Sequence, residues 1–453
     1  MSTFVLKLSS TLRNNSVVKN AAALFVGKGI NLFIGLFSTL IYGIIFLKKD
    51  IAIIGLFEML ASLFLSFGFT WSALAVTRFG KDELQKNNSI NYTSSLRFGI
   101  VIPILLISIF IILFFRDTFI KYIGTDDTTI IFYLICNLIL LVIHEHITTI
   151  FTALEKHPLN ALYHVGVGLG KLCILLLFYF SILKNIRAEL YLKYNVYVLL
   201  LLLIGRSFFI KYKYIFPLIL GKKEDYKRQL NYVLPQIYGF SGLYVINWVD
   251  LYFIRKYMSL DDVGAYQFMY SIFSKFAYFA IILNTIFFPR IMHWKITKSD
   301  KLKAYLKKAP ILVLLTTVII FTIFLQIYQP LFSIFFKEKY SNAYKAFNIL
   351  IMCIPFYFGI YVYVPVLNSF DRVKYLQNVN IFTAILNILF DYYFIESLGL
   401  IAAGFATFIA YFSKYVLISI AAQKMFSIKS KFSNIFSIVY FMIVVSYFIK
   451  EAF

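Results

Sequence analysis

The sequence predicts an all-α integral membrane protein: two six-helix bundles forming a pseudo-repeat, with an extra C-terminal helix and 12–13 transmembrane helices in all. Three observations predict it. Of 453 residues, 61% are hydrophobic and only 14% charged, whereas a soluble domain is about half apolar and about one quarter charged. The apolar residues lie in continuous runs close to the ~20 residues a helix needs to cross a bilayer. Barrel strands would instead show short alternating segments.

Taken in order, the expected spans are 21–46, 52–77, 98–115, 130–151, 162–183 and 194–210, then 232–254, 264–288, 309–333, 346–367, 376–396 and 399–422, with a thirteenth at 434–450. The polar start, Met1 to Asn20, carries Lys7, Arg13 and Lys19, and the run after it is too long for a cleaved signal, so the first span is expected to be retained. The spans imply an N-terminal bundle over 1–210, a basic cytoplasmic linker over 211–231, a C-terminal bundle over 232–422 and the extra helix within 423–453.

Lys and Arg number 44 against 21 Asp and Glu, a net charge of +23. Such basicity can mark a nucleic-acid partner, but no nucleic-acid-binding motif accompanies it. Its distribution gives another reason. With a cytoplasmic N-terminus, 26 basic residues fall in inner segments, 13 on the outer side, counting Lys450 at the outer end of the thirteenth span, and five inside spans, as cytoplasmic loops require. The two richest loops, Lys211 to Arg228 and Arg290 to Lys308, are both inside in this topology. Cys136, Cys173 and Cys353 are isolated from one another in apolar runs and are read as lipid-facing or core thiols.

The halves share local patterns. Ile54-Gly55-Leu56-Phe57-Glu58 follows span 1 as Val263-Gly264-Ala265-Tyr266-Gln267 follows span 7, and Leu154-Glu155-Lys156 follows span 4 as Phe370-Asp371-Arg372 follows span 10. A repeat of six helices keeps its orientation, which relates the halves by an axis along the membrane normal.

With these motifs in place, the chain resembles the polysaccharide transporter family of Wzx-type O-antigen and capsule repeat-unit flippases, in the multidrug/oligosaccharidyl-lipid/polysaccharide exporter superfamily. The residues that carry the resemblance are Leu234-Pro235-Gln236, Asp250 in Trp248-Val249-Asp250-Leu251-Tyr252-Phe253-Ile254, Asp262-Val263-Gly264-Ala265-Tyr266, Asn368-Ser369-Phe370-Asp371-Arg372-Val373-Lys374 and Leu398-Gly399-Leu400-Ile401-Ala402-Ala403-Gly404-Phe405-Ala406-Thr407. Lys19-Asn20 and Ile54-Gly55-Leu56-Phe57 are similar to the family's opening. The resemblance implies a two-bundle fold shared with multidrug extruders and the lipid II flippase, conventionally of twelve helices, working by alternating access. It also implies a bacterial inner-membrane location, an undecaprenyl-diphosphate-linked oligosaccharide as substrate, and a polysaccharide polymerase and chain-length regulator as partners beside membrane lipids.

Charges inside spans are costly and usually mark a function or a partner. The cations are Lys28, Lys171, Arg206, Lys275 and Lys414, and the anions Glu58, Glu145, Asp250 and Asp391. Lys28, Lys171 and Lys275 lie deepest and are the candidates for the diphosphate and acidic sugars, because attraction to phosphate oxygens is little screened in a low-dielectric cavity. The competing reading is an internal salt bridge with Glu58, Asp250 or Asp391. Arg206 and Lys414, nearer helix ends, either snorkel or serve function.

Gln236, Gly239, Gly242 or Leu243, Asn247 and Asp250 share one face of span 7, and Asn380, Asn387 and Asp391 one face of span 11. Such stripes either line a wet cleft where Asn247, Asp250, Asn387 and Asp391 bind sugar hydroxyls, or join helices by hydrogen bonds. Glu145, between His144 and His146, is a candidate for H+ or Na+ coupling, as are Asp250 and Glu58. The two histidines point about 200° apart and make no metal motif. Gly166 and Gly170 have the GxxxG spacing of close helix packing, with a hinge as the other reading.

No catalytic signature, metal site or cofactor is expected. Translocation of the lipid-linked oligosaccharide from the inner to the outer leaflet is therefore the leading reading. A multidrug extruder or lipid II flippase of the same fold is the alternative. A polymerase or ligase ranks behind both, since the outer connections are too short for a catalytic loop.

Overall fold

The computed structural model describes residues 16–297, 300–428 and 430–453; the expected cytoplasmic residues Lys7 and Arg13 lie outside them. The described residues form helices α1 (Ser16–Ile45), α2 (Lys48–Phe64), α3 (Thr70–Asn87), α4 (Asn91–Phe114), α5 (Arg116–Ile123), α6 (Thr129–Ala153), α7 (His157–Tyr179) and α8 (Ala188–Ser207). They continue as α9 (Lys223–Tyr257), α10 (Leu260–Ile296), α11 (Lys301–Phe336), α12 (Tyr344–Ser369), α13 (Val373–Leu398), α14 (Leu400–Met425) and α15 (Lys431–Ala452). Twelve described helical segments are long and apolar enough to span a membrane. Each expected span falls on its own helical segment; the eighth lies in α10, a helix of 37 residues.

The helix starts follow local chemistry. Ser259 caps α10, its hydroxyl accepting from the Asp262 amide at 3.2 Å while Asp262 accepts from the Ser259 amide at 3.3 Å, a capping box that satisfies two otherwise orphaned donors. In α9 the acids Glu224 and Asp225 sit in the first turn and the bases Arg255 and Lys256 in the last, the arrangement the helix dipole favours. Between α2 and α3 the chain makes a π-helical turn over Leu65–Phe69. A π turn disturbs the regular carbonyl pairing; here Trp71 Nε1 donates to the Phe67 carbonyl at 2.8 Å and Ser72 Oγ to that of Phe69 at 2.6 Å.

Two compact units emerge. Among the described residues, the first comprises 16–38, 60–121 and 125–237, and the second 39–59, 122–124 and those from 238 to 453. In the first, Val76, Ile147, Ile150 and Phe151 build a core where α3 meets α6, closed by Ile90 and Tyr214. Leu140, Val196 and Leu199 continue it between α6 and α8.

In the second unit α12 and α14 are buried along most of their length. Close approach of backbones sets their spacing, since a Cβ at Gly404 on α14 would stand 2.7 Å from the Ala346 carbonyl oxygen of α12; likewise one at Gly264 on α10 would stand only 1.9 Å from the Lys48 carbonyl oxygen at the start of α2. The thirteenth helix, α15, is part of this unit. Its Phe448 stacks on Phe405 at 3.8 Å and its Phe441 on Phe412 at 4.0 Å. Tyr440 donates to the Met352 carbonyl at 2.9 Å, Asn348 donates to the Tyr447 hydroxyl at 2.7 Å, and Lys345 pairs with Glu451 at 3.1 Å.

Candidate functional site

The polar stripes of α9 and α13 face each other. A Cβ at Gly239 would meet the Gln377 side chain at 3.0 Å, and one at Gly242 the Asn380 backbone at 3.0 Å, so small residues let the two helices close. Two turns further along α9 this seam ends in a buried acid pair. Asp250 is 3% exposed, and Asn387, Asp391 and Thr407 are fully buried. Asn387 Nδ2 donates to Asp250 Oδ1 at 3.1 Å, and Thr407 Oγ1 donates to Oδ2 at 2.6 Å. The Tyr266 hydroxyl also donates to Oδ2.

Asp391 lies one turn beyond Asn387 on α13 and interacts directly with Asp250. Neither of its carboxylate oxygens, nor Asn387 Oδ1, receives a hydrogen bond among the described residues. No lysine or arginine is a partner of either acid in the described chain. Two buried carboxyls in direct contact either share a proton or, when both are ionised, need a compensating cation, and the oxygens of Asp391 and Asn387 are hard donors suited to a proton or an alkali cation. These residues therefore fit a coupling ion. Asn247, also on the α9 stripe, stands apart: it is exposed and accepts from the Tyr270 hydroxyl at 3.3 Å.

In the first unit the sequence His144-Glu145-His146 serves two different arginines, as a 200° separation on a helix requires. Arg97, 1% exposed, pairs with Glu145 Oε2 at 2.8 Å, contacts His146 Nδ1 at 3.0 Å and donates through Nε to Ser72 Oγ at 3.1 Å. Ser94 Oγ bonds the other side of His146 at 2.8 Å. The π turn thus presents Ser72 to the arginine. Glu145, a coupling candidate in the sequence, is paired with Arg97. That arginine escaped notice because the third span was placed at 98, whereas α4 begins at Asn91 and carries Arg97 into the bundle.

On the opposite face of α6 lies Arg206. It is buried, donating to the His144 carbonyl at 3.1 Å, Thr148 Oγ1 at 3.0 Å and Asn160 Oδ1 at 3.1 Å, with its guanidinium 4.2 Å over the Tyr163 ring. It does not snorkel, and no acid is among these partners. Arg206 covers the Tyr163 ring, Lys171 lies about two turns further along the same helix, and Gly27, next to Lys28, packs against Ala161 of α7, so three of the five span cations lie near one stretch of α7. Lys28, Lys171, Lys275 and Glu58 are half-buried and each engages a neighbouring group. Lys275 belongs to the second unit, as does Lys414, which is 8% exposed on α14; burial there replaces the snorkelling alternative.

Gly166 and Gly170 take up packing. A Cβ at Gly166 would come within 2.8 Å of Leu202, and one at Gly170 within 2.3 Å of Val198, both on α8. No group of three or more metal-ligating His, Cys, Asp or Glu residues occurs among the described residues.

The fold has counterparts among known proteins. The MatE family matches residues 235–393, which include Asp250, Asn387 and Asp391. No curated protein matches the sequence. Among solved structures, the fold is similar to that of the lipid II flippase MurJ in an inward closed conformation: the TM-score is 0.69 at 15% identity, over 95% of this chain and 96% of that one. It is also similar to an outward-facing multidrug resistance MATE family transporter of the MOP superfamily, with a TM-score of 0.63 at 13% identity over 92% and 97% of the two chains. A Vibrio cholerae MATE transporter matches with a TM-score of 0.56 at 13% identity over 90% and 98%. The chain therefore has the helical fold of these multi-pass membrane transporters.

Proposed function

We propose that the protein is a flippase that moves an undecaprenyl-diphosphate-linked O-antigen or capsule repeat unit from the cytoplasmic to the outer leaflet of a bacterial plasma membrane by alternating access. The observation that carries this reading is the placement of Arg206, Lys28 and Lys171 along one stretch of α7, with Arg206 over the Tyr163 ring and no acid among its hydrogen-bond partners. Cations held in a low-dielectric setting suit a diphosphate, and aromatic faces beside them suit sugars. Extrusion of a cationic drug, the competing use of this fold, gains nothing from such a cluster.

Coupling is assigned to the acid pair of the second unit. Asp250, Asp391, Asn387 and Thr407 would hold H+ or Na+, whose charge offsets the two carboxylates. Asn387 and Asp391 are thereby assigned to the ion rather than to sugar hydroxyls, because both are fully buried against Asp250. Glu145, held by Arg97, is assigned a structural role.

Replacing Lys28, Lys171 or Arg206 with Ala should abolish surface glycan while the protein remains in the membrane, checked by glycan staining beside immunoblotting. Normal surface glycan in all three variants would refute the cationic-site reading.

A further inference from the structure

A second site lies in the C-terminal unit, away from the acid pair. The α12–α13 turn folds against the end of α14 because the Phe370 and Phe426 rings pack edge to face at 5.1 Å and the Tyr375 hydroxyl donates to the Leu417 carbonyl at 2.8 Å. The turn itself is fixed by the Arg372 amide donating to the Leu367 carbonyl at 3.0 Å. Asp371 adopts the left-handed conformation there, with φ 59°, a geometry short polar side chains tolerate. What this packing leaves between the elements is a cavity of about 450 Å³, within the range of small-molecule sites.

Its polar lining is Arg372, Lys424 and Tyr375, and its apolar lining includes Leu367, Ile420 and Met425. No acid lines it. Asp371 instead stands 4.0 Å from Lys295, whose ammonium also lies 4.9 Å from the Phe370 ring centroid and donates to the Ser369 carbonyl. The first turn of α13 has no side-chain cap, so its leading amides point toward the same end. Two cations and uncapped amides beside an apolar wall match one class of ligand: a phosphate carried on a hydrocarbon.

We propose that this cavity binds the headgroup of an anionic phospholipid, with the phosphate between Arg372 and Lys424 and the glycerol and upper acyl chain along Leu367, Ile420 and Met425. Ile420 is 42% exposed on a helix long and apolar enough to cross a membrane, which sets an accessible apolar surface beside the two cations and favours a lipid over free phosphate. In the expected topology the turn and the end of α14 are both cytoplasmic, the side on which basic pockets between helices meet anionic lipids. The site is independent of what the protein transports.

The test uses the purified full-length protein, delipidated in nonionic detergent, with its melting midpoint followed as phosphatidylglycerol is added. Phosphatidylglycerol should raise the midpoint saturably, whereas phosphatidylcholine and inorganic phosphate should not. Each basic residue at an anionic lipid contributes about fivefold in affinity, so Arg372→Gln with Lys424→Gln should raise the half-saturating lipid concentration roughly 30-fold. Ala421→Phe, which fills the cavity and keeps both charges, should also weaken the response; Lys303→Gln with Lys307→Gln, on an exposed turn elsewhere, should leave it unchanged. An equal phosphatidylglycerol requirement in the wild type and both cavity variants would overturn the proposal. So would a response to phosphatidylcholine or to phosphate matching that to phosphatidylglycerol.

Discussion

At the scale of single residues, the membrane interior makes charge compensation decisive. Arg97 and Glu145 compensate each other, and removing one partner of a buried pair costs about 3–5 kcal/mol. Arg97→Met should therefore lower the melting midpoint sharply, and Arg97→Met with Glu145→Gln should recover part of the loss in the same thermal assay. Thr407→Val removes one donor from Asp250 and should cost about 1–3 kcal/mol, read as a lower midpoint and a weaker response to the coupling ion. Lys339 lies between α11 and α12 and donates to the carbonyls of Gly43 and Phe46 at the end of α1. Burial lowers its ammonium from 10.5 to about 8, against the opposing pull of Asp50. The folded protein then binds fewer protons than the unfolded chain between those values, so stability rises with pH across about 8 to 10.5. Lys339→Met should flatten that rise relative to wild type in melting curves taken at pH 7.5 and 10.

At the scale of helices, the seams are set by small residues. Gly404→Val should separate α14 from α12, because its Cβ would sit 2.7 Å from a backbone carbonyl that cannot move aside as a side chain can; the expected result is loss of monodisperse protein on size-exclusion chromatography. Much of the helical layout was legible in the sequence, since lipid-facing runs of about 20 residues have few other readings. Helix starts were not. Asn91 to Arg97 is polar enough to resemble loop, and only tertiary partners, Ser72, Glu145 and His146, make it helix. The pairing of the α9 and α13 stripes was likewise beyond reach. Periodicity shows that Asp250, Asn387 and Asp391 each lie on a polar face, but not that the two faces meet. Tyr266 and Thr407 stood in motifs already singled out, yet nothing in a hydroxyl-bearing residue signals that its partner lies 16 or 157 positions away.

At the scale of the whole molecule, a cation cluster in the first unit and a buried acid pair in the second are carried by a fold similar to those of the lipid II flippase and a multidrug resistance transporter. The net charge of +23 fits the same picture, since most of it lies in loops and only five basic residues fall within expected spans. The central claim is that an ion at the acid pair drives movement of an anionic lipid-linked saccharide. The most direct measurement reconstitutes the full chain in liposomes with a fluorescent undecaprenyl-diphosphate-linked saccharide and follows its exposure to an impermeant quencher under H+ or Na+ gradients. Wild type should show gradient-dependent movement that is lost in Asp250→Asn. Movement at the same rate without a gradient, or unchanged in that variant, would contradict that claim.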